Sequence, residues 1–134
     1  MKRIGNVLVL MLCFVLPIAL TGQAPADLVQ AARARDAAID KVDVATWQRF
    51  TAPEFTVVND AGRLLTLAER ITELKQSKPV ASPTPCGQER ITMFANGTAA
   101  TRRYRCGATW WLDVWVKSAS GWQALAVQGT PAAK

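Results

Sequence analysis

Residues 88–128 read QERITMFANGTAATRRYRCGATWWLDVWVKSASGWQALAVQ, and the patterning of this stretch decides the fold. β-Branched and aromatic residues recur at period 2, broken by Asn96-Gly97 and by Ser118-Ala119-Ser120-Gly121. The pattern predicts four antiparallel strands in a meander, over 88–95, 98–106, 108–117 and 122–128. Asn-Gly between two such runs is a strong hairpin signal. Asn96-Gly97-Thr98 also fits a glycosylation sequon, but the turn explains it better.

The hairpin and the cysteines check each other. If Ala95-Asn96-Gly97 form a three-residue loop with Gly97 left-handed, Phe94 faces Thr98, and the same register sets Cys86 opposite Cys106. A two-residue turn would miss by one place. The spacing therefore predicts a structural disulfide, Cys86–Cys106, whose loop of about 20 residues makes it worth roughly 3 kcal/mol. The alternative, a redox-active pair, lacks the C-x-x-C spacing. On this register Arg103 faces Glu89, a cross-strand ion pair, while Arg102 faces Arg90. Two opposed arginines repel, so either one splays into water or an anion sits between them.

In 108–117, alternation puts Trp110, Leu112, Val114 and Val116 on one face and Thr109, Trp111, Asp113, Trp115 and Lys117 on the other. An aspartate between two tryptophans is unusual. If that face lines a hollow, burial raises the Asp113 pKa and favours a neutral carboxyl that donates a hydrogen bond. The alternatives are a surface aspartate beside partly exposed rings, or one satisfied by a nearby arginine.

Upstream, residues 27–43 carry Leu28, Ala31, Ala32, Arg35 (by its stem), Ala38, Ile39 and Val42 at helical spacing, with Asp27 as N-cap. A second helix is expected over 44–50, stopped by Pro53, then a strand over 54–59 and a turn at Asp60-Ala61-Gly62. Thr66-Leu67-Ala68-Glu69 is a capping box that opens a third helix through Gln76. Residues 78–87 hold three prolines and read as a loop. The whole is α+β, with helices on one face of a curved antiparallel sheet.

At the N-terminus, Lys2 and Arg3 precede an apolar run over 7–16 and then Pro17, the layout of a signal peptide. Residues 1–24 are assigned to it, with the cut anywhere from 22 to 26, and residues 25–134 form one domain. An uncleaved anchor is the alternative, although roughly 20 apolar residues are needed to span a bilayer. Cys13 in that run reads as apolar filler. Cleavage takes the net charge from +6 to +4 by removing Lys2 and Arg3. That excess has no long basic run and does not point to nucleic acid. The paired cysteines agree with an oxidising compartment, so the expected location is periplasmic or secreted, with no membrane attachment after cleavage. The chain has no histidine, which excludes histidine-based triads and histidine-ligated zinc. No metal constellation, phosphate loop or nucleotide fingerprint is present, and no cofactor is expected.

Three stretches together resemble the nuclear transport factor 2-like superfamily, in its SnoaL-like and ketosteroid-isomerase-like branch. They are Val42-Asp43 before Trp47-Gln48-Arg49-Phe50; Phe55-Thr56-Val57-Val58-Asn59-Asp60-Ala61-Gly62-Arg63 leading into Thr66-Leu67-Ala68-Glu69; and Asp113-Val114-Trp115-Val116-Lys117 through Gly121-Trp122 to Val127-Gln128. The resemblance implies a cone, a bent sheet wrapped round a long helix with an apolar pocket at its open end. It places Asp113 where isomerase-like members hold a developing oxyanion. Their proton-shuttling carboxylate falls at Asn59, with Asp60 next door, and their phenolic donor falls near Arg35. Asp60 would serve only if the register slipped by one. The expected lining is Trp111, Asp113, Trp115, Tyr104, Phe55 and Arg35. Three functions follow: a module binding a small hydrophobic molecule; an isomerase, dehydratase or cyclase using Asp113 with Asp60 or Asn59; or a module that forms a homodimer through its sheet.

Overall fold

The computed structural model describes residues 23–133. The leader assignment, including Cys13, lies almost entirely outside the described residues. Helix α1 spans Ala26–Lys41 and α2 spans Val44–Arg49. Strand β1 (Thr51–Val58) and the short β2 (Leu64–Thr66) lead into α3 (Leu67–Gln76), and the meander follows as β3 (Cys86–Phe94), β4 (Ala99–Cys106), β5 (Thr109–Ser118) and β6 (Gly121–Pro131). The six strands form one sheet in the order β2-β1-β6-β5-β4-β3. All neighbours are antiparallel except β1 and β6, which run parallel. The α+β architecture expected from the sequence is the one observed.

Helix α1 buries Leu28, Ala31, Ala32, Arg35 and Ala38, the one-face spacing of an amphipathic helix. Three of the five are alanines, so the sheet can approach the helix closely. Its cap differs from expectation: Pro25 takes the N-cap place, and Asp27 sits inside the first turn. There its carboxylate accepts from the Leu28 N–H at 2.9 Å and pairs with Lys117 Nζ on β5 at 2.9 Å. Asp43 caps α2 by accepting from the Thr46 N–H. Thr66 and Glu69 close the expected capping box on α3. Pro53 lies inside β1, in the segment where the register with β6 shifts between Thr51 and Thr56. Proline has no N–H to offer a ladder, and an irregularity accommodates it.

The disulfide Cys86–Cys106 is present, but the hairpin above it is not the one expected. Phe94 faces Ala99, Ile91 faces Arg102, and Arg90 faces Arg103. Ala95 and Asn96 both adopt positive φ, so the loop takes in Thr98 and every pair moves by one. A register shift between Gly87 and Arg90, with Gln88 at φ 54°, takes the residue back. The cysteines then meet as the simple register had them. The pairings Arg103–Glu89 and Arg102–Arg90 are corrected accordingly.

The core lies between α1 and the inner face of the sheet. It includes Leu28, Trp47, Phe55, Trp115, Trp122, Ala100, Ala124 and Val127. Trp115 faces Ala100 on β4 and Ala124 on β6. Those two small neighbours leave the room that its indole fills.

Candidate functional site

A cavity of about 500 Å³ opens beside α1, between the inner sheet and α3. Its deep wall is apolar and aromatic: Trp47, Phe55, Val57, Leu65, Tyr104 and Val127 line it and are each buried. Trp111 lines it from β5, across from Gly129 on β6. A Cβ on Gly129 would lie 2.8 Å from Trp111 Cζ3 and 3.1 Å from the Asp60 backbone nitrogen. A side chain there would displace the ring, so this glycine sets where Trp111 stands. Glycine inside a long strand is the signal that marks such close approach, and it was not singled out from the sequence.

Of the expected site residues, Phe55, Tyr104, Trp111, Arg35, Asn59 and Asp60 line the cavity, while Trp115 and Asp113 are absent from its lining. Trp115 is consumed by the core, for the packing reason given above. Asp113 points to the inner side of the sheet and is 0 % exposed, but it is sealed beneath other side chains. Arg102 Nη1 donates to its Oδ2 at 3.3 Å and the Tyr104 hydroxyl to its Oδ1 at 3.4 Å. Burial pushes the Asp113 pKa up to about 6, against the pull of Arg102 and Arg35. Burial, with the charges of Asp113 and Asp36, raises the Tyr104 phenol as well, so it stays a hydrogen-bond donor.

Arg102 ties this region together. It is 1 % exposed, and besides Asp113 it donates from Nε to Glu89 Oε1 at 2.6 Å and from Nη2 to Asp36 Oδ2 at 2.6 Å. Its guanidinium lies 4.0 Å from the Tyr104 ring centroid. Burial opposes the charge, but the hydrogen bonds and attraction of Asp36, Asp113 and Glu89 outweigh it and raise the Arg102 pKa. Neither alternative drawn for an opposed Arg102 and Arg90, a splayed arginine or an anion between them, is needed: Arg102 faces Ile91, and three carboxylates from α1, β3 and β5 surround it. Sequence reading missed Asp36 and Glu89 because their meeting depends on α1 crossing the sheet.

Asn59 follows the last residue of β1, and its Oδ1 accepts from the Ala61 and Arg63 amides at 3.2 and 2.9 Å. Its side chain builds the turn. Asp60 stands exposed at the cavity rim. On α3, Arg70 pairs with Glu73 at 3.0 Å, and Arg63 also pairs with Glu73.

Arg35 is buried, 3 % exposed. Its Nε donates to Thr51 Oγ1 at 3.0 Å, and its guanidinium stacks near Trp47 and Phe55, at 4.8 and 5.0 Å from their centroids. Burial lowers its pKa to about 10, opposed by Asp113 and Asp36, so it remains a cation at neutral pH.

No family model matches the sequence, and no curated protein is significantly similar to it. Solved structures share its shape. An NTF2-like protein from Cytophaga hutchinsonii aligns with a TM-score of 0.68 at 13% identity, covering 77% of this chain and 93% of that one. An NTF2-like protein from Rhodospirillum rubrum, described as of unknown function in nutrient uptake, gives 0.66 at 12%, over 79% and 98%. The association domain of Caenorhabditis elegans CaMKII gives 0.64 at 15%, over 78% and 92%. The chain has the nuclear transport factor 2-like fold.

Proposed function

We propose that this chain is an exported binding protein, cut near residue 24, whose cavity holds a small, mostly apolar molecule. The observation that carries the reading is the separation of the hollow from Asp113. The cavity is walled by Phe55, Val57, Leu65, Tyr104 and Trp111, the kind of lining that small-molecule sites have. Among the described residues, the one buried carboxylate with a strongly raised pKa, Asp113, is held away from that space by Arg102 and Tyr104. With Asn59 engaged in its turn and Asp60 at the rim, the acid and base of a proton-transfer enzyme do not converge on one point. The disulfide supports a periplasmic or secreted location, and the description of the R. rubrum protein supports a role toward a small molecule.

One observation favours the enzyme reading: the Tyr104 phenol lines the cavity while touching Asp113, a donor aimed by a buried carboxyl. A homodimer through the sheet draws support from Phe94 and Leu112, which are 51 % and 42 % exposed on the outer face, and from the association-domain neighbour.

A thermal-shift screen of residues 25–134 against apolar metabolites tests the binding reading. Stabilising hits that vanish in Trp111→Ala are the expected result. A broad library without one hit refutes the cavity as a binding site.

A further inference from the structure

We infer that the ligand of this cavity carries a single carboxylate, and that Arg35 receives it. The inference rests on the binding reading above and adds the chemistry of the ligand's head.

A guanidinium has five N–H donors and no acceptor. Among the described residues, the hydrogen bonds of Arg35 amount to one, from Nε to Thr51 Oγ1, and it has no ion pair. Its Nη atoms have no hydrogen-bond acceptor among the described residues, although the residue lines the cavity and is 3 % exposed. The contrast with Arg102 is direct, since all three nitrogens of that equally buried guanidinium meet carboxylates. The rings of Trp47 and Phe55 and the Thr51 hydroxyl hold the Arg35 fork in place while leaving its ends open. A planar group with two acceptor oxygens matches the open ends of this fork.

The other charged lining groups set the head's charge. Asp36 and Glu73 line the same cavity already paired, to Arg102 and to Arg63 and Arg70, while Asp40 and Asp60 line it with no ion pair among the described residues. This acidic surround repels a doubly charged head such as a phosphate and tolerates a single charge neutralised by Arg35. The ligand class is therefore an apolar or aromatic monocarboxylic acid, its body against Phe55, Tyr104 and Trp111.

The test compares two probes of one shape, 4-phenylbutanoate and 4-phenylbutanamide, by calorimetric titration of residues 25–134 at pH 7.5. The carboxylate is expected to bind at least about tenfold more tightly, the scale of a charged hydrogen-bond pair. Arg35→Gln is expected to erase that preference, bringing the two probes to the same affinity. Because Arg35→Gln can weaken the fold, the wild type is also followed by ¹⁵N NMR. There the Arg35 Nε–H signal should move with the acid and stay with the amide. Equal affinity for the two probes, or a carboxylate preference that leaves the Arg35 signal still, overturns the carboxylate site alone. Binding of neither probe, with no hit in the broader screen, overturns the cavity reading and this inference with it.

Discussion

Replacing Arg102 by leucine should be the most damaging polar-to-apolar change in the chain. The arginine is 1 % exposed and balances three carboxylates, Asp36, Glu89 and Asp113, whose side chains are 32 %, 25 % and 0 % exposed. Asp36 and Glu89 can turn toward water. Asp113 cannot, so most of the cost falls on it. Breaking a buried ion pair from one side costs about 3–5 kcal/mol, a large share of the roughly 5–15 kcal/mol that holds a domain folded. Urea unfolding of residues 25–134, followed by tryptophan fluorescence, measures it. Adding Asp113→Asn to Arg102→Leu should restore more than half of the loss, because the stranded charge is gone. The loss should also shrink at pH 5. Arg102 lowers the Asp113 pKa, so without it the carboxyl rises above about 6 and is neutral there. A single-variant cost below about 1 kcal/mol at pH 7.5 would refute the reasoning, since breaking a buried pair should cost several times that. So would simple additivity in the double variant.

Asp113 also gives the wild type a pH signature. Its folded pKa of about 6 lies above its ordinary 3.8, so the folded state binds the proton more tightly. On this account stability is gained as pH falls through 6 toward 4, by up to about 3 kcal/mol, and the difference between wild-type and Asp113→Asn urea curves across that window isolates it. Gly129→Val should push the Trp111 ring out of place and cost about 1–3 kcal/mol by overpacking. It is checked by unfolding together with loss of the thermal-shift hits, and a variant as stable and as responsive as wild type would contradict the close approach. Replacing Cys86 and Cys106 together by serine should lower stability by roughly 3 kcal/mol, measured against the oxidised wild type in the same urea series.

Much of the framework was legible because its signals are local. Thr66 and Glu69 cap α3 through bonds spanning three residues, and period-2 alternation correctly set Asp113 and Trp115 on the inner face of β5. The disulfide was legible too, although the hairpin register behind it was off by one over most of its length. Two compensating irregularities, at Ala95-Asn96 and at Gln88, cancel by the time the chain reaches Cys86. Non-local features were not legible. The parallel pairing of β1 with β6 joins opposite ends of the domain, and β2 is three residues long, too short to show a period. Which inner-face residues meet the cavity depends on neighbours across the sheet. Alanines beside Trp115 draw it into the core, Arg102 and Tyr104 cover Asp113, and Gly129 opens the place where Trp111 stands. Asp36 and Glu89 reach Arg102 only because α1 lies over the sheet.

Native mass spectrometry of the protein, expressed with its own leader and recovered from the exported fraction, tests the central claim most directly. The account predicts a mature chain that begins between residues 23 and 27 and carries one small organic molecule in a 1:1 complex, lost in Trp111→Ala. A chain that retains its leader, or a mature chain that stays bare after exposure to the screened metabolites, would contradict it.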